Sequence, residues 1–268
     1  MKPPGVWIAA VPCLFLAILS GCSQREKPLE PEHVQAKPHV YNRVIVLCIG
    51  INKYQYSGIP ALDYAEPDAN GFAQVVRSRY GYETAMLLGK DATRKAIGAK
   101  LGDYAVRLGE KDVLIVFFAG HGQVIELPSY GRAGFLIPYD ANLDLDDRSD
   151  PDAWSGQALD MRLLVESLGG MKAHHVVLIA DACSSGFMTG RGNFADRPDL
   201  QVLLTQPSRM VMAAATERQK AREDATTGHG RFTMALLDVL KSPDAASVTD
   251  VFNEVRKRVI KNNGPPKC

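Results

Sequence analysis

The sequence predicts an α/β fold, a three-layer sandwich in which helices cover both faces of a mostly parallel sheet. Apolar runs bounded by Gly, Asp or Pro are continuous rather than alternating, which is typical of parallel strands buried on both faces. Segments of helical periodicity lie between these runs. Strands that alternate with helices indicate a parallel sheet with crossover helices.

The apolar runs predict four strong strands and a weaker one. Cys48 lies inside the first of them, where a thiol acts as a small apolar side chain. The predicted strands are 43–50, 84–89 (the weaker one), 113–120, 175–181 and 210–216.

Helices are predicted between and after the strands. The first begins at Glu66-Pro67-Asp68, which suits a first helical turn. The stretches 121–157 and 184–208 are predicted as long loops, which in a compact domain are usually functional or mobile. The predicted helices are 66–79, 92–108, 159–168, 230–240 and 248–260.

Composition narrows the class of protein. The chain has 268 residues, 46% of them hydrophobic, which suits one globular domain with a sizeable core. The net charge is +1 and the basic residues are scattered, so nucleic acid is not an expected partner. The five cysteines do not form a disulfide framework, and Cys183 is the one whose setting suggests chemistry.

The N-terminal segment predicts export. Residues 1–21 have one Lys, an apolar run and then small residues, as in a secretory signal peptide. They run into Leu19-Ser20-Gly21-Cys22, which resembles the lipobox of bacterial lipoproteins and implies a lipidated Cys22. An ordinary cleaved signal with an incidental Cys is the alternative.

The segment that follows is predicted to connect the lipid anchor to the folded domain. Residues 22–41 are polar and proline-containing, so they are predicted to be a disordered tether for a folded domain at 42–268. The lipobox resemblance places this domain at the bacterial cell envelope, anchored in the membrane by lipid. By analogy with the sorting rule of enterobacterial lipoproteins, Ser23 rather than Asp after the Cys implies the periplasmic face of the outer membrane.

Reactive side chains follow two of the predicted strands. His121 comes directly after strand 113–120, and Cys183 comes two residues after strand 175–181. Parallel strands end at the same edge of a sheet, beyond which open α/β folds bind their ligands. We therefore expect His121 and Cys183 to meet. Taken alone, a Cys at a strand end or a single His is most often structural.

The pair suits nucleophilic catalysis. A thiolate attacks carbonyl carbons far better than a thiol, and a nearby His takes the thiol proton and then protonates the leaving amine. The amides of Gly122 and Cys183 are candidates for stabilising the oxyanion that forms. His174 and His175 open a strand and are predicted to be structural, and His229 is predicted to be exposed.

A family resemblance supports this chemistry. The resemblance extends over about residues 43–260 and is carried by the segments VIVLCIGINKY, EPDANGFAQVV, VLIVFFAGHGQ, FLIPYDA, VVLIADACSSG, AAATERQKARE and GRFTMALL. In them the sequence resembles the caspase-like cysteine peptidases, in particular bacterial metacaspase-like proteins. The resemblance implies a caspase–haemoglobinase fold and hydrolysis of peptide bonds by a Cys–His dyad, with no third carboxylate.

The resemblance also implies roles for single residues. His121 matches the catalytic His, Cys183 the nucleophile and Gly122 the oxyanion donor. Asp181 and Asp68 match acids that bind a basic side chain in the specificity pocket, and carboxylates there favour Arg or Lys and repel Asp. The alternatives are that Asp68 interacts with the free amides of its helix and that Asp181 holds the cysteine loop.

The sequence departs from the family in places. Ser184 stands after the nucleophile where metacaspases usually have His, and the chain stops at NNGPPKC where relatives often continue. Calcium activates many metacaspases, but the acidic stretch 140–152 lacks the ligand spacing of an EF-hand, so a solvated loop is preferred and no metal or other cofactor is predicted. We expect a monomer.

The sequence therefore predicts a cysteine endopeptidase that acts on peptide or protein substrates after Arg or Lys. Two other classes stay open: a non-catalytic caspase-like binding module, and a cysteine amidase or transpeptidase acting on another amide. Self-cleavage near the 184–208 loop, at Arg191, Arg197 or Arg209, is a further hypothesis.

Overall fold

The folded part of the chain is built on a parallel sheet in the computed structural model, which describes residues 41–127, 131–146, 150–182, 208–214, 223–224, 228–242 and 248–263. In chain order the described strands are β1 Arg43–Gly50, β2 Glu83–Leu88, β3 Asp112–Gly120, β4 Gly122–Leu127, β5 Gly131–Leu136, β6 Leu159–Asp160, β7 His175–Ala182, β8 Ser208–Ala213, β9 Glu223–Asp224 and β10 His229–Gly230. The described α-helices are α1 Ala65–Tyr80, α2 Arg94–Arg107, α3 Pro151–Gln157, α4 Met161–Gly169, α5 Arg231–Lys241 and α6 Val248–Asn263.

The main sheet has the order β2-β1-β3-β7-β8, and every neighbouring pair is parallel. Its central strands are buried over almost their whole length, since β1 is buried from Ile45 to Gly50. Side chains on both faces of such a strand must be apolar, which explains the continuous hydrophobic runs.

Helices form a layer on each side of this sheet. On one face, Ile97 and Leu101 of α2 and Leu168 of α4 join a core with alternate side chains of the strands. On the other face, α1, α5 and α6 do the same, represented by Phe72 and Leu236. The predicted three-layer α/β sandwich is confirmed.

A second, antiparallel sheet follows β3, with the order β4-β5-β6. The prediction of a loop over 121–157 was therefore wrong for β4, β5 and the short helix α3. The segment is rich in glycine, which hides its strand periodicity. Its strands are stabilised by a separate small core around Phe135 and Trp154, which are both fully buried.

Helix α4 begins later than predicted. Residues 159–160 form β6, and the Asp160 carboxylate then accepts hydrogen bonds from the amides of Arg162 and Leu163. This cap fixes the start of the helix at Met161.

The predicted signal peptide, tether and Cys22 lie outside the described residues. Within the part of the chain that is described, no helix combines the length and the apolar character needed to cross a membrane.

Candidate active site

The predicted histidine lies where the chain passes from the main sheet to the antiparallel sheet. His121 follows Gly120, the last residue of β3. In the parallel β3–β7 pair, Gly120 lies opposite Ala182, the last residue of β7. Cys183 comes next in the sequence and lies outside the described residues. The strand ends that lead into His121 and Cys183 are thus neighbours at one edge of the sheet.

Contacts to both the backbone and the ring hold His121. Its backbone N–H donates to the Tyr54 hydroxyl at 2.8 Å, and the two rings lie 5.4 Å apart between centroids. Its Nε2 lies 2.9 Å from the carbonyl oxygen of Pro60. A carbonyl only accepts, so Nε2 carries the hydrogen and the basic nitrogen of the neutral ring is Nδ1.

Sequence reasoning missed Tyr54 and Pro60. Both follow β1, which neighbours β3, so this part of the chain leaves the sheet at the same edge as His121. Tyr54 ends the segment VIVLCIGINKY, which is one signal that could have found it. Pro60 acts through its backbone carbonyl, for which the residue type carries no signal.

The two predicted pocket acids are buried at this same edge. Asp181, one residue before the end of β7, accepts a hydrogen bond from the Thr233 hydroxyl at 2.6 Å. Asp68, in the first turn of α1, accepts one from His229 Nδ1 at 2.7 Å. The Gly230 amide also donates to both oxygens of Asp68, at 3.2 and 3.1 Å. These bonds of Asp68 leave its own helix and run to the start of α5.

Gly230 shows that the two carboxylates converge. A Cβ atom at this position would lie 2.9 Å from Oδ2 of Asp68 and 2.9 Å from Oδ2 of Asp181. Real Cβ atoms do not approach oxygens so closely, so only glycine fits without a shift of both acids. Two acids that are far apart in the sequence therefore flank one Cα atom.

The prediction that His229 is exposed was wrong. Its side chain is 27% exposed and is bonded to Asp68. Burial and the charge of Lys241 lower the pKa of His229, which favours the neutral imidazole. The neutral ring donates Nδ1–H to Oδ1 of Asp68.

Gly122, the predicted oxyanion donor, lies one residue after His121. Gly122 is buried, begins β4 and lies opposite Leu136 in the antiparallel register with β5. Its role toward a reacting carbonyl stays a prediction.

The acidic stretch uses its carboxylates to bind backbone amides. Asp140 accepts from the amide of Arg94, and Asp144 from the amide of Asp146. Asp150 caps α3. These are the bonds of a capped surface loop. Among the described residues, no cluster of three or more His, Cys, Asp or Glu could hold a metal ion. That the protein needs no metal or other cofactor stays a prediction.

Cys48 and Arg209, which the sequence analysis named as a core thiol and as a cleavage site, both make contacts within the fold. Burial raises the pKa of Cys48 to about 12, as expected for a small apolar core residue. The guanidinium of Arg209 donates to backbone carbonyls of Gly169, Met171 and His174 at 2.6 to 3.2 Å. An arginine bound in this way does not suit self-cleavage. Arg191 and Arg197 lie outside the described residues.

Comparisons with known proteins agree with this architecture. The family model for the caspase domain matches residues 43–266. Among solved structures, the crystal structure of protein GSU0716 from Geobacter sulfurreducens is similar, with a TM-score of 0.57 and 20% sequence identity. The similarity covers 84% of this chain and 90% of that one, and at this identity it shows the fold alone. No curated protein matches the chain.

Proposed function

The chain belongs to the caspase domain family, whose members are typically cysteine peptidases, and on that premise we propose that it is an endopeptidase cleaving after Arg or Lys. Cys183 is the nucleophile and His121 its base. The observation that carries the proposal is the convergence of buried Asp68 and Asp181 at the sheet edge that leads into both residues.

The tautomer of His121 supports its role as the base. Because Pro60 binds Nε2–H, the ring accepts a proton at Nδ1. His121 takes the thiol proton of Cys183, and the thiolate sulfur forms a bond to the scissile carbonyl carbon. The amides of Gly122 and Cys183 stabilise the oxyanion.

Acyl transfer then completes the reaction. The tetrahedral intermediate collapses, the C–N bond breaks, and the proton on His121 Nδ1 passes to the leaving amine. A water molecule, deprotonated by the same nitrogen, attacks the thioester. The second tetrahedral intermediate collapses, the C–S bond breaks, and the acid product leaves while the proton on His121 Nδ1 returns to the sulfur of Cys183.

The two acids account for the preference for a basic residue before the cleaved bond. Carboxylates that are removed from water form strong charge-assisted hydrogen bonds with a guanidinium or ammonium group. An Asp side chain in the same place would meet like charges. Neutral His229 and the Thr233 hydroxyl hold the acids without cancelling their charge.

The test uses fluorogenic peptides that end in Arg, Lys or Asp, with and without calcium. The purified chain is compared with a Cys183→Ala variant of the same chain. We expect release after Arg and Lys that requires Cys183, and none after Asp.

Other outcomes select other functions. Release after Asp would contradict the assignment of the pocket. No turnover of any peptide, at any calcium concentration, would favour a binding module or a hydrolase of another amide.

We also propose that lipid on Cys22 tethers the peptidase to the bacterial envelope. Partition of the expressed chain into the detergent phase of a Triton X-114 extract supports this, provided that Cys22→Ser moves it to the aqueous phase. Equal partition of both chains would contradict the anchor.

A further inference from the structure

The hydrogen bonds on Asp68 join parts of the chain that are far apart. His229 and Gly230 form β10, immediately before α5, whereas Asp68 lies in α1. His229 Nδ1 contacts Oδ1 of Asp68 at 2.7 Å, and the Gly230 amide reaches both oxygens of the carboxylate. The carboxylate is therefore fixed in position by two consecutive residues of another element.

The His229 ring is itself held on the far side. A Cβ at Gly71 would lie 3.0 Å from Cε1 and 3.6 Å from Nε2 of the ring. Gly71 is three residues after Asp68, so both face the same side of α1. The imidazole therefore packs against the backbone of α1 while its Nδ1 bonds to the acid on the preceding turn. This contact limits rotation of the ring away from Asp68.

The second acid has a matching support. Thr233, in the first turn of α5, donates its hydroxyl to Oδ2 of Asp181. Both carboxylates are thus oriented by the same short segment, 229–233, and the Gly230 Cα lies between them. A displacement of this segment would move the two acids relative to one another.

We propose that His229 is a specificity-determining positioning residue: it fixes the Asp68 carboxylate beside Asp181 so that both acids bind one guanidinium group. This inference rests on the proposed peptidase function. His229 acts through Asp68, and it orients that acid without neutralising it. A planar guanidinium needs fixed acceptors more than a freely rotating ammonium does, so loss of the support affects Arg substrates more than Lys substrates.

Three substitutions separate this role from a structural one. His229→Asn places an amide N–H where Nδ1 stands, whereas His229→Gln places its amide near the position of Nε2. His229→Ala removes the donor. The measurements are kcat and KM for peptides ending in Arg, Lys and citrulline, the last being a neutral isostere of Arg.

We expect the Gln and Ala variants to lose about tenfold in the ratio of kcat/KM for Arg over citrulline, mainly through KM, as for the loss of a hydrogen bond to a charged group. The Lys-over-citrulline ratio should fall less. The Asn variant should recover most of the Arg preference. The alkylation rate of Cys183 with iodoacetamide reports the dyad and should stay within twofold in all variants that fold.

The outcomes are distinguishable. If wild-type chain prefers Arg to citrulline and the Gln and Ala variants keep that ratio, the role of His229 is wrong and the peptidase proposal stands. Equal loss for Arg and citrulline, or no recovery in the Asn variant, would show a structural role only. If the wild-type chain itself shows no preference for Arg over citrulline, the proposed pocket fails and the inference with it. Should the Ala variant not fold, the comparison of Asn with Gln decides.

Discussion

Histidines lie at both edges of the main sheet, and they differ in what their ring nitrogens contact. At the amino edge, His175 opens β7 and both of its ring nitrogens meet hydroxyls, of Tyr41 at 2.7 Å and Ser208 at 2.6 Å. Burial, His174 and Arg209 lower its pKa to about 4. The ring is therefore neutral near pH 7, and both of its nitrogens are used in hydrogen bonds within the fold.

At the carboxyl edge, the Nε2 of His121 binds the backbone carbonyl of Pro60, which sets the tautomer of the ring. Two buried carboxylates converge at the same edge, next to the strand end that precedes Cys183. Both histidines lie at the boundary of a strand, so neither the residue type nor the strand boundary distinguishes them. What makes His121 a candidate for catalysis is the set of groups around it and its position at the carboxyl ends of the strands.

The largest expected effect on activity separates two single variants, His121→Ala and His175→Ala. His121→Ala should lower kcat/KM for an Arg peptide by about 10³-fold, since it removes the general base, with little change in stability. His175→Ala should lower the free energy of unfolding by about 1 to 3 kcal/mol, because it removes two hydrogen bonds, and should keep the activity per folded molecule. Peptide assays and urea unfolding of both variants test this. Equal loss of activity in both would remove the distinction between the edges.

A methyl group at the carboxyl edge should have the next largest effect. Gly230→Ala pushes a Cβ against both pocket acids, so we expect kcat/KM for Arg peptides to fall about 10²-fold, as for a small misplacement of a recognition group. The matched control is Gly98→Ala in α2, where, among the described residues, no atom beyond the neighbouring backbone of the same helix lies within 4 Å of the added Cβ. This control should raise the free energy of unfolding by about 0.5 to 1 kcal/mol and keep the activity. Wild-type kinetics in Gly230→Ala would contradict the convergence of the acids.

A smaller effect is expected at Tyr54. Tyr54→Phe keeps an aromatic ring beside His121 but removes the hydroxyl that accepts a hydrogen bond from the backbone N–H of His121. Loss of this hydrogen bond costs about 1 kcal/mol, so we expect kcat to fall about fivefold with KM unchanged. Tyr56→Phe is the control, because Tyr56 is 37% exposed and nearby in the sequence. The same kcat for both variants would show that the hydroxyl does not position the histidine.

The smallest effect is the pH dependence of stability from the amino edge. The pKa of His175 in the folded state, about 4, is below its ordinary 6.5, so folding favours the neutral ring. The neutral ring therefore contributes to the free energy of unfolding. This contribution is complete above pH 6.5 and is lost as the pH falls from 6.5 toward 4. Because the ring is only partly buried, we expect a loss of roughly 1 kcal/mol. The free energy of unfolding is measured with urea at several pH values between 7.5 and 4.5. It should fall less steeply with decreasing pH in His175→Gln than in the wild-type chain. The same pH dependence in both chains would contradict the lowered pKa of His175.

The order of apolar runs was enough to predict the parallel sheet and its two helical layers, because a strand buried on both faces must be apolar throughout. The same logic placed His121 directly after a strand of the main sheet, where the structure has it. The strands β4 and β5 could not be predicted in this way, since their short glycine-rich segments are stabilised by packing around Phe135 and Trp154.

The sequence by itself determined the five strands of the main sheet and the residues worth testing where β3 and β7 end. Only the tertiary structure decided that Pro60 sets the tautomer of His121 and that His229 and Gly230 orient Asp68. The physical reason is the separation along the chain, 61 residues for Pro60 and His121 and 161 for Asp68 and His229. Local propensity and periodicity carry information over a few turns of helix, whereas these hydrogen bonds exist only after distant elements have packed together.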